Sequence, residues 1–60
     1  MYTLYAVDSN NNFHMIRKSG DIELLDKIVE RNDGIWWVGG EACSFQIVYD
    51  NRNKKISIPA

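Results

Sequence analysis

The sequence has few of the residues that hold small domains together by covalent or metal bonds. It contains one cysteine (Cys43), one histidine (His14) and one proline (Pro59) in 60 residues. One cysteine excludes an internal disulfide, and one cysteine with one histidine cannot build a conventional structural zinc site. We therefore expect no metal and no cofactor. A chain of this length buries only about 60% of the surface of its unfolded form, so packing or a partner must stabilise it.

Long apolar runs and an excess of one charge are also missing. No uninterrupted apolar segment approaches the length of a bilayer, and the first residues show neither the basic nor the apolar region of a signal peptide. We therefore expect one soluble, cytoplasmic domain over residues 1–60 that does not contact a membrane. The formal net charge of −1 provides no global field that would attract nucleic acid.

The overall composition is that of an ordinary folded domain. The first part of the sequence predicts a β-hairpin. Residues 2–7 and 13–18 are rich in aromatic and β-branched residues, and residues 8–12 are turn formers. The faces depend on the length of the turn. A loop of two or four residues places Leu4 and Ala6 on one face with Phe13 and Met15, and Thr3, Tyr5 and Val7 on the other with His14 and Ile16.

An amphipathic helix is predicted from Asp21 to about Arg31. Polar residues precede it, and Asp21 near its start complements the helix dipole. The apolar residues recur with helical spacing and form one stripe, Ile22, Leu25, Ile28 and Val29. Residues 32–34, Asn-Asp-Gly, tolerate the left-handed conformation that ends a helix.

A three-stranded meander is predicted after the helix, with strands at 35–38, 42–49 and 54–58. Successive strand residues point to opposite faces, so the adjacent Trp36 and Trp37 must separate. The alternation in residues 43–49 identifies a core side, Cys43, Phe45, Ile47 and Tyr49. Loops of even length at 39–40 and 51–52 then add Trp36, Val38, Ile56 and Ile58 to the core side and leave Trp37 outside, whereas a three-residue first loop would exchange the tryptophans.

The order ββαβββ predicts an α+β domain, in which one helix packs on one face of a twisted antiparallel sheet. A helix of about 11 residues cannot cover five strands. Either the sheet curls into a partly closed barrel, or its second face contacts another molecule.

Three arrangements of reactive residues are present, and we favour the structural interpretation of each. Cys43 and His14 could form a nucleophilic pair, but the predicted faces separate them, and we expect no enzyme. Asp8, Asn10 and Asn12 alternate as a calcium loop begins, without the glycine and terminal glutamate that complete one. The basic residues Lys18, Arg52, Lys54 and Lys55 could contact phosphates but are typical of solvated turns and edges.

The strongest functional indication is a set of aromatic and apolar residues on the uncovered face: Trp37, Tyr5, His14, Ile35 and Val48. Tryptophan and tyrosine contribute much of the energy of protein interfaces. We expect a small protein-binding module that inhibits or modulates a larger macromolecule, or forms a homodimer. Such modules include small proteins of phages and mobile elements, which block host or defence enzymes or act as antitoxins. The alternative is a module that stacks single-stranded RNA or DNA on this face, with the basic residues along the backbone.

Overall fold

The computed structural model describes residues 1–51 and 54–59, with side chains described as far as Asp50. In chain order the elements are β1 (Tyr2–Val7), β2 (Phe13–Ser19), α1 (Ile22–Arg31), β3 (Ile35–Val38), β4 (Glu41–Asn51) and β5 (Lys54–Pro59). The predicted order ββαβββ and the α+β class are confirmed.

All strand pairs are antiparallel, and β4 is the centre of the sheet. The strand order is β2-β1-β4-β3, and β5 also pairs with β4. One edge of β4 binds β1 over Ser44 to Tyr49. Its other edge binds β3 at its beginning and β5 further along, from Gln46 to Asn51. The sheet curls into a half-barrel, and α1 covers its concave side.

The helix begins and ends where local side chains satisfy its free backbone groups. Asp21 is the N-cap, and its Oδ1 accepts a hydrogen bond from the N–H of Glu23 at 3.0 Å. At the other end the N–H of Gly34 donates to the carbonyl of Val29 at 3.0 Å, and Asp33 takes a φ of 56°. These bonds occupy groups that a helix end would otherwise leave unpaired.

The core lies between α1 and one face of the sheet. Leu25 of the helix is buried against Leu4, Phe45 and Ile47 of the two central strands. Around them pack half-buried side chains: Tyr2, Ile16, Ile22, Ile28, Val29 and Trp36. The predicted helix stripe and the buried alternation of β4 are both confirmed.

The turn between β3 and β4 separates the two tryptophans as predicted. Gly39 and Gly40 form a two-residue turn with φ angles of 58° and 82°, the type I′ geometry that fits the twist of a hairpin. Trp36 therefore lies opposite the buried Cys43. Its ring centroid is 6.0 Å from that of Phe45, whereas Trp37 faces away from the core.

The predicted faces of β2 are wrong, whereas those of β1 are correct. Val7 pairs with Phe13, so the loop has five residues and not two or four. The carboxylate of Asp8 sets this length, because its Oδ1 accepts the N–H groups of both Asn10 and Asn12 at 2.9 Å while Asn11 takes a φ of 62°. Phe13 and Met15 consequently lie on the uncovered face and His14 on the core side.

A register shift between Leu4 and Tyr5 then makes Ile16 an extra residue in β2. Such a bulge reverses the alternation of the strand. Ile16 packs against the core, on the side opposite to the one predicted for it.

The last strand pairs two residues beyond its predicted register, because Asn51 still pairs with Lys54. A shift of two residues keeps the same faces, so Ile56 pairs with Tyr49 and Ile58 with Ile47, both core-side residues of β4. The prediction that the side chains of Ile56 and Ile58 complete the core concerns side chains outside the described part of the chain.

Candidate protein-binding face

The sheet surface on the side opposite to α1 is called the open face here. The register of the strands assigns its described members, because directly paired residues share a face. They are Thr3, Tyr5, Val7, Phe13, Met15, Lys18, Ile35, Trp37, Ala42, Ser44, Gln46, Val48 and Asp50.

Four large apolar side chains on the open face are exposed to solvent. The exposed fractions are 67% for Trp37, 62% for Met15, 49% for Phe13 and 44% for Ile35. Met1 is the only other large apolar residue exposed to this degree among residues 1–50. Exposed apolar residues that are scattered singly are normal, but their concentration on one face marks a binding surface.

These side chains form a band across four strands. Phe13 pairs with Val7, Val7 with Ser44, and Ser44 with Ile35, so the band runs from one edge strand to the other. Trp37 extends it along β3. Inside the band, the rings of Phe13 and Tyr5 meet edge to face, with centroids 5.4 Å apart and an interplanar angle of 76°.

The charged residues of the open face lie away from the band. Among its described members only Lys18 and Asp50 are charged. Lys18 pairs with Thr3, which pairs with Val48, two residues before Asp50. Both charges are thus at the end of β4 that is remote from Trp37, and they have opposite signs.

Four of the five residues predicted to bind a partner share this face: Trp37, Tyr5, Ile35 and Val48. His14 does not, because it pairs with Ala6, which is fully buried in the core. The Nε2 of His14 instead lies 3.0 Å from Oδ2 of Asp8. The bond from His14 is the main reason that the pKa of Asp8 falls to about 2, and the N–H of Asn12 lowers it further. The histidine therefore closes the hairpin loop.

Phe13 and Met15 are members of the face that the sequence interpretation missed. It placed them in the core because it assumed an even loop. The signal that could have found them is Asp8 followed by asparagines at positions 10, 11 and 12, since an Asx side chain can bind the amides of a longer loop and asparagine tolerates positive φ.

Cys43 and His14 lie apart, as predicted, but not because they are on opposite faces of the sheet. Both lie on the core side, but β1 lies between their strands, and the thiol donates to the carbonyl of Glu41 at 3.7 Å. Burial raises the pKa of the Cys43 thiol, and the negative charges of Glu41 and Asp8 raise it further. A raised pKa disfavours the thiolate that nucleophilic chemistry requires.

The predicted hairpin role of residues 8–12 agrees with their geometry. Oδ1 of Asp8 accepts two N–H groups of the loop, Oδ2 bonds to Nε2 of His14 in β2, and the amide of Ser9 donates to Oε1 of Glu41 at 3.1 Å. Among residues 1–51 and 54–59 no group of three or more histidine, cysteine or acidic side chains is arranged to hold a metal ion.

The residues predicted to contact phosphate are only partly described. Lys18 is exposed on the open face, beside β1. Arg52 lies outside the described residues, as do the side chains of Lys54 and Lys55. The open face therefore offers one cation from the residues whose side chains are described.

Neither a pocket nor a membrane helix accompanies the open face. The surface formed by the described residues has no pocket. Within the same part of the chain, no helix has the length and apolar character to cross a membrane. Comparison with protein-family models, with curated proteins and with solved structures found no match to this chain.

Proposed function

We propose that this chain is a small, non-enzymatic protein-binding module that binds a larger protein through the open face. The observation that carries the proposal is the apolar band, with Trp37, Met15, Phe13 and Ile35 exposed together. When a partner covers exposed apolar surface of this kind, the free energy of the complex falls, because that surface is removed from water.

The open face is large enough for an interface at the lower end of the standard size. The two longer dimensions of the molecule, 34 and 24 Å, limit the face to at most roughly 800 Å², so a partner would have to cover most of it to approach the ~800 Å² that each side of a standard interface contributes. The composition of the open face also suits a protein interface. Interface cores are enriched in aromatic residues and methionine and depleted of charge, and the band has this composition.

Trp37 is the expected energetic centre of the contact. Its indole offers a large rigid surface and one N–H donor, and it loses little conformational freedom on binding. Ile35 lies two residues from Trp37 on the same face of β3, whereas Tyr5 and Val48 lie farther along the sheet, on β1 and toward the end of β4. Residues beside a hot spot exclude water from it, so a partner seated on Trp37 would also cover Ile35.

The more specific part of the proposal is that the module inhibits or modulates its partner. A host or defence enzyme, or a toxin, would be the target if the chain acts like the small proteins of phages and mobile elements. This part depends on analogy of size and composition alone, so the experiment must identify the partner.

The test is capture of partners from a lysate by the wild type and by three variants. Trp37→Ala and Met15→Ser alter the apolar band, and Lys27→Ala, on the exposed side of α1, is the matched control. We expect a protein that survives nuclease and high salt, is retained by Lys27→Ala and is lost with both band variants. The captured protein, once purified, should bind with an affinity that Trp37→Ala lowers by at least about thirtyfold, as for a hot spot of 2 kcal/mol.

Two outcomes would contradict the proposal. A partner that binds both band variants as well as the wild type uses another surface. RNA or DNA that disappears with nuclease or high salt would favour stacking on Trp37 and Tyr5, since phosphate contacts depend steeply on salt. The pair of opposite charges, Lys18 and Asp50, gives such stacking little electrostatic support on the described face.

A further inference from the structure

β3 is an edge strand of the sheet. β3 stands at one end of the strand order and pairs with β4 alone among the described strands. A free strand edge presents N–H and C=O groups that can pair with another strand, and proteins protect such edges with charges, prolines or bulges. The four residues of β3, Ile35 to Val38, are uncharged, contain no proline and pair with β4 without a bulge.

The opposite end of the sheet is protected. The edge strand there is β2, which carries the exposed cations Arg17 and Lys18. It also contains the register shift opposite Leu4 and Tyr5. Three described strands pair with a single neighbour, β2, β3 and β5. Of these only β3 is free of charged residues and proline, because β5 contains Lys54, Lys55 and Pro59.

The register shows which groups β3 presents at this edge. In an antiparallel pair, residues alternately bond to the partner strand and point away from it. The two-residue turn places a bonded pair at Val38 and Glu41, so Ile35 and Trp37 direct their N–H and C=O groups away from β4. The N–H of Ile35 agrees, because it donates to the carbonyl of Asn32 at 3.0 Å.

We propose that β3 pairs with β3 of a second copy of this chain, antiparallel, about a two-fold axis at Trp37. The N–H of Trp37 would donate to the carbonyl of the partner's Trp37, and the reverse bond would form by symmetry. One residue that directs both a donor and an acceptor outward is complementary to its own two-fold copy. Since this pairing uses up the regular edge of each copy, the assembly closes as a dimer.

The side chains fit the same register. Trp36 would lie opposite Val38 of the partner subunit, and both are half-buried residues of the core side. The two Trp37 indoles would lie side by side on the open face. The dimer would thus have one continuous sheet, with the open faces of both copies on the same side. This inference concerns the backbone and does not depend on the proposed function.

A matched pair of variants tests the backbone bond. Trp37→Val and Trp37→Pro both remove the indole, but only proline removes the N–H, and proline is tolerated on an edge strand where that N–H faces solvent. In sedimentation over a range of concentrations, the wild-type mass should rise from 6.9 kDa toward twice that value. Trp37→Val should dimerise about tenfold more weakly, because the aromatic pair is lost. Trp37→Pro, with a circular dichroism spectrum that shows it is folded, should remain monomeric.

Amide exchange in the wild type provides a readout that does not depend on the folding of a variant. Exchange of the Trp37 N–H should slow as the concentration rises, whereas the amides of Trp36 and Val38, already bonded to β4, should be protected throughout. A wild type that stays at 6.9 kDa at every concentration would overturn the proposal. So would a Trp37→Pro dimer as strong as that of Trp37→Val, or a dimer whose Trp37 amide exchanges at the rate of the monomer.

Discussion

Replacement of the two adjacent tryptophans by alanine should have opposite effects on stability and binding. Trp36 packs against the core, with its ring 6.0 Å from that of Phe45, whereas Trp37 is 67% exposed. Trp36→Ala should therefore destabilise the fold, and Trp37→Ala should leave it nearly unchanged. The comparison is well controlled because the residues are neighbours in one strand and lose the same atoms.

The magnitude follows from burial. Removal of a fully buried large aromatic side chain costs about 3 to 5 kcal/mol, and Trp36 is only half-buried, so we expect about 2 to 3 kcal/mol. For a domain of this size each kcal/mol corresponds to roughly 4 to 8 °C in Tm, which predicts a decrease of about 10 to 20 °C. Trp37→Ala should change the free energy of unfolding by less than about 0.5 kcal/mol.

The assay is thermal and urea unfolding followed by circular dichroism, at protein concentrations low enough that association does not add stability. A 60-residue domain has little stability to lose, so Trp36→Ala could be unfolded at the start of the melt. Trp36→Phe, which keeps a ring against Phe45, should then show a smaller and measurable loss. If Trp37→Ala lowers the Tm as much as Trp36→Ala does, the assignment of the two faces is wrong.

Three further predictions concern other parts of the molecule. The pKa of Asp8 is lower in the folded protein than its ordinary value of 3.8, so the unfolded chain binds more protons and stability should be lost as the pH falls from 3.8 toward about 2. Over this pH range the urea midpoints of the wild type and of Asp8→Asn should converge. A constant difference between the two midpoints would refute the role of the carboxylate. The buried Cys43 thiol, with its raised pKa, should react with a thiol reagent far more slowly in the folded protein than in urea, and equal rates would show that it is exposed. At the β3–β4 turn, Gly40→Ala should cost about 1 to 2 kcal/mol because φ is 82° there, while Gly39→Asn should be nearly neutral, and similar urea midpoints for both would contradict the type I′ assignment.

Much of the fold could be predicted from local patterns in the sequence. The stripe of Ile22, Leu25, Ile28 and Val29 has helical spacing, and a helix of that composition must turn this stripe to the core. The alternation of Cys43, Phe45 and Ile47 has the period of a strand. The pair of glycines at 39 and 40 favours a two-residue turn, which was sufficient to assign Trp36 to the core side and Trp37 to the open face.

The candidate face was predicted only in part, because its composition depends on the register of the first hairpin. Residues 13 to 16 are apolar or amphipathic at every position, so they fit either face. Ile35 was assigned correctly because the turn at Gly39 and Gly40 ties the face of β3 to the alternation of β4, and Tyr5 was placed correctly on the face opposite to Leu4 and Ala6. His14, Phe13 and Met15 were not, since their faces depend on whether the loop has an even or an odd number of residues.

By itself, the sequence determined the elements of this protein, their order and the core sides of α1 and β4, because these depend on periodicities that repeat within a single segment. Only the tertiary structure decided the five-residue loop, the bulge at Ile16 and hence the residues that share the open face with Trp37. The physical reason is that strand register depends on bonds between segments. Here the carboxylate of Asp8 holds the amides of Asn10 and Asn12, and one added loop residue moves every side chain before the bulge to the opposite face.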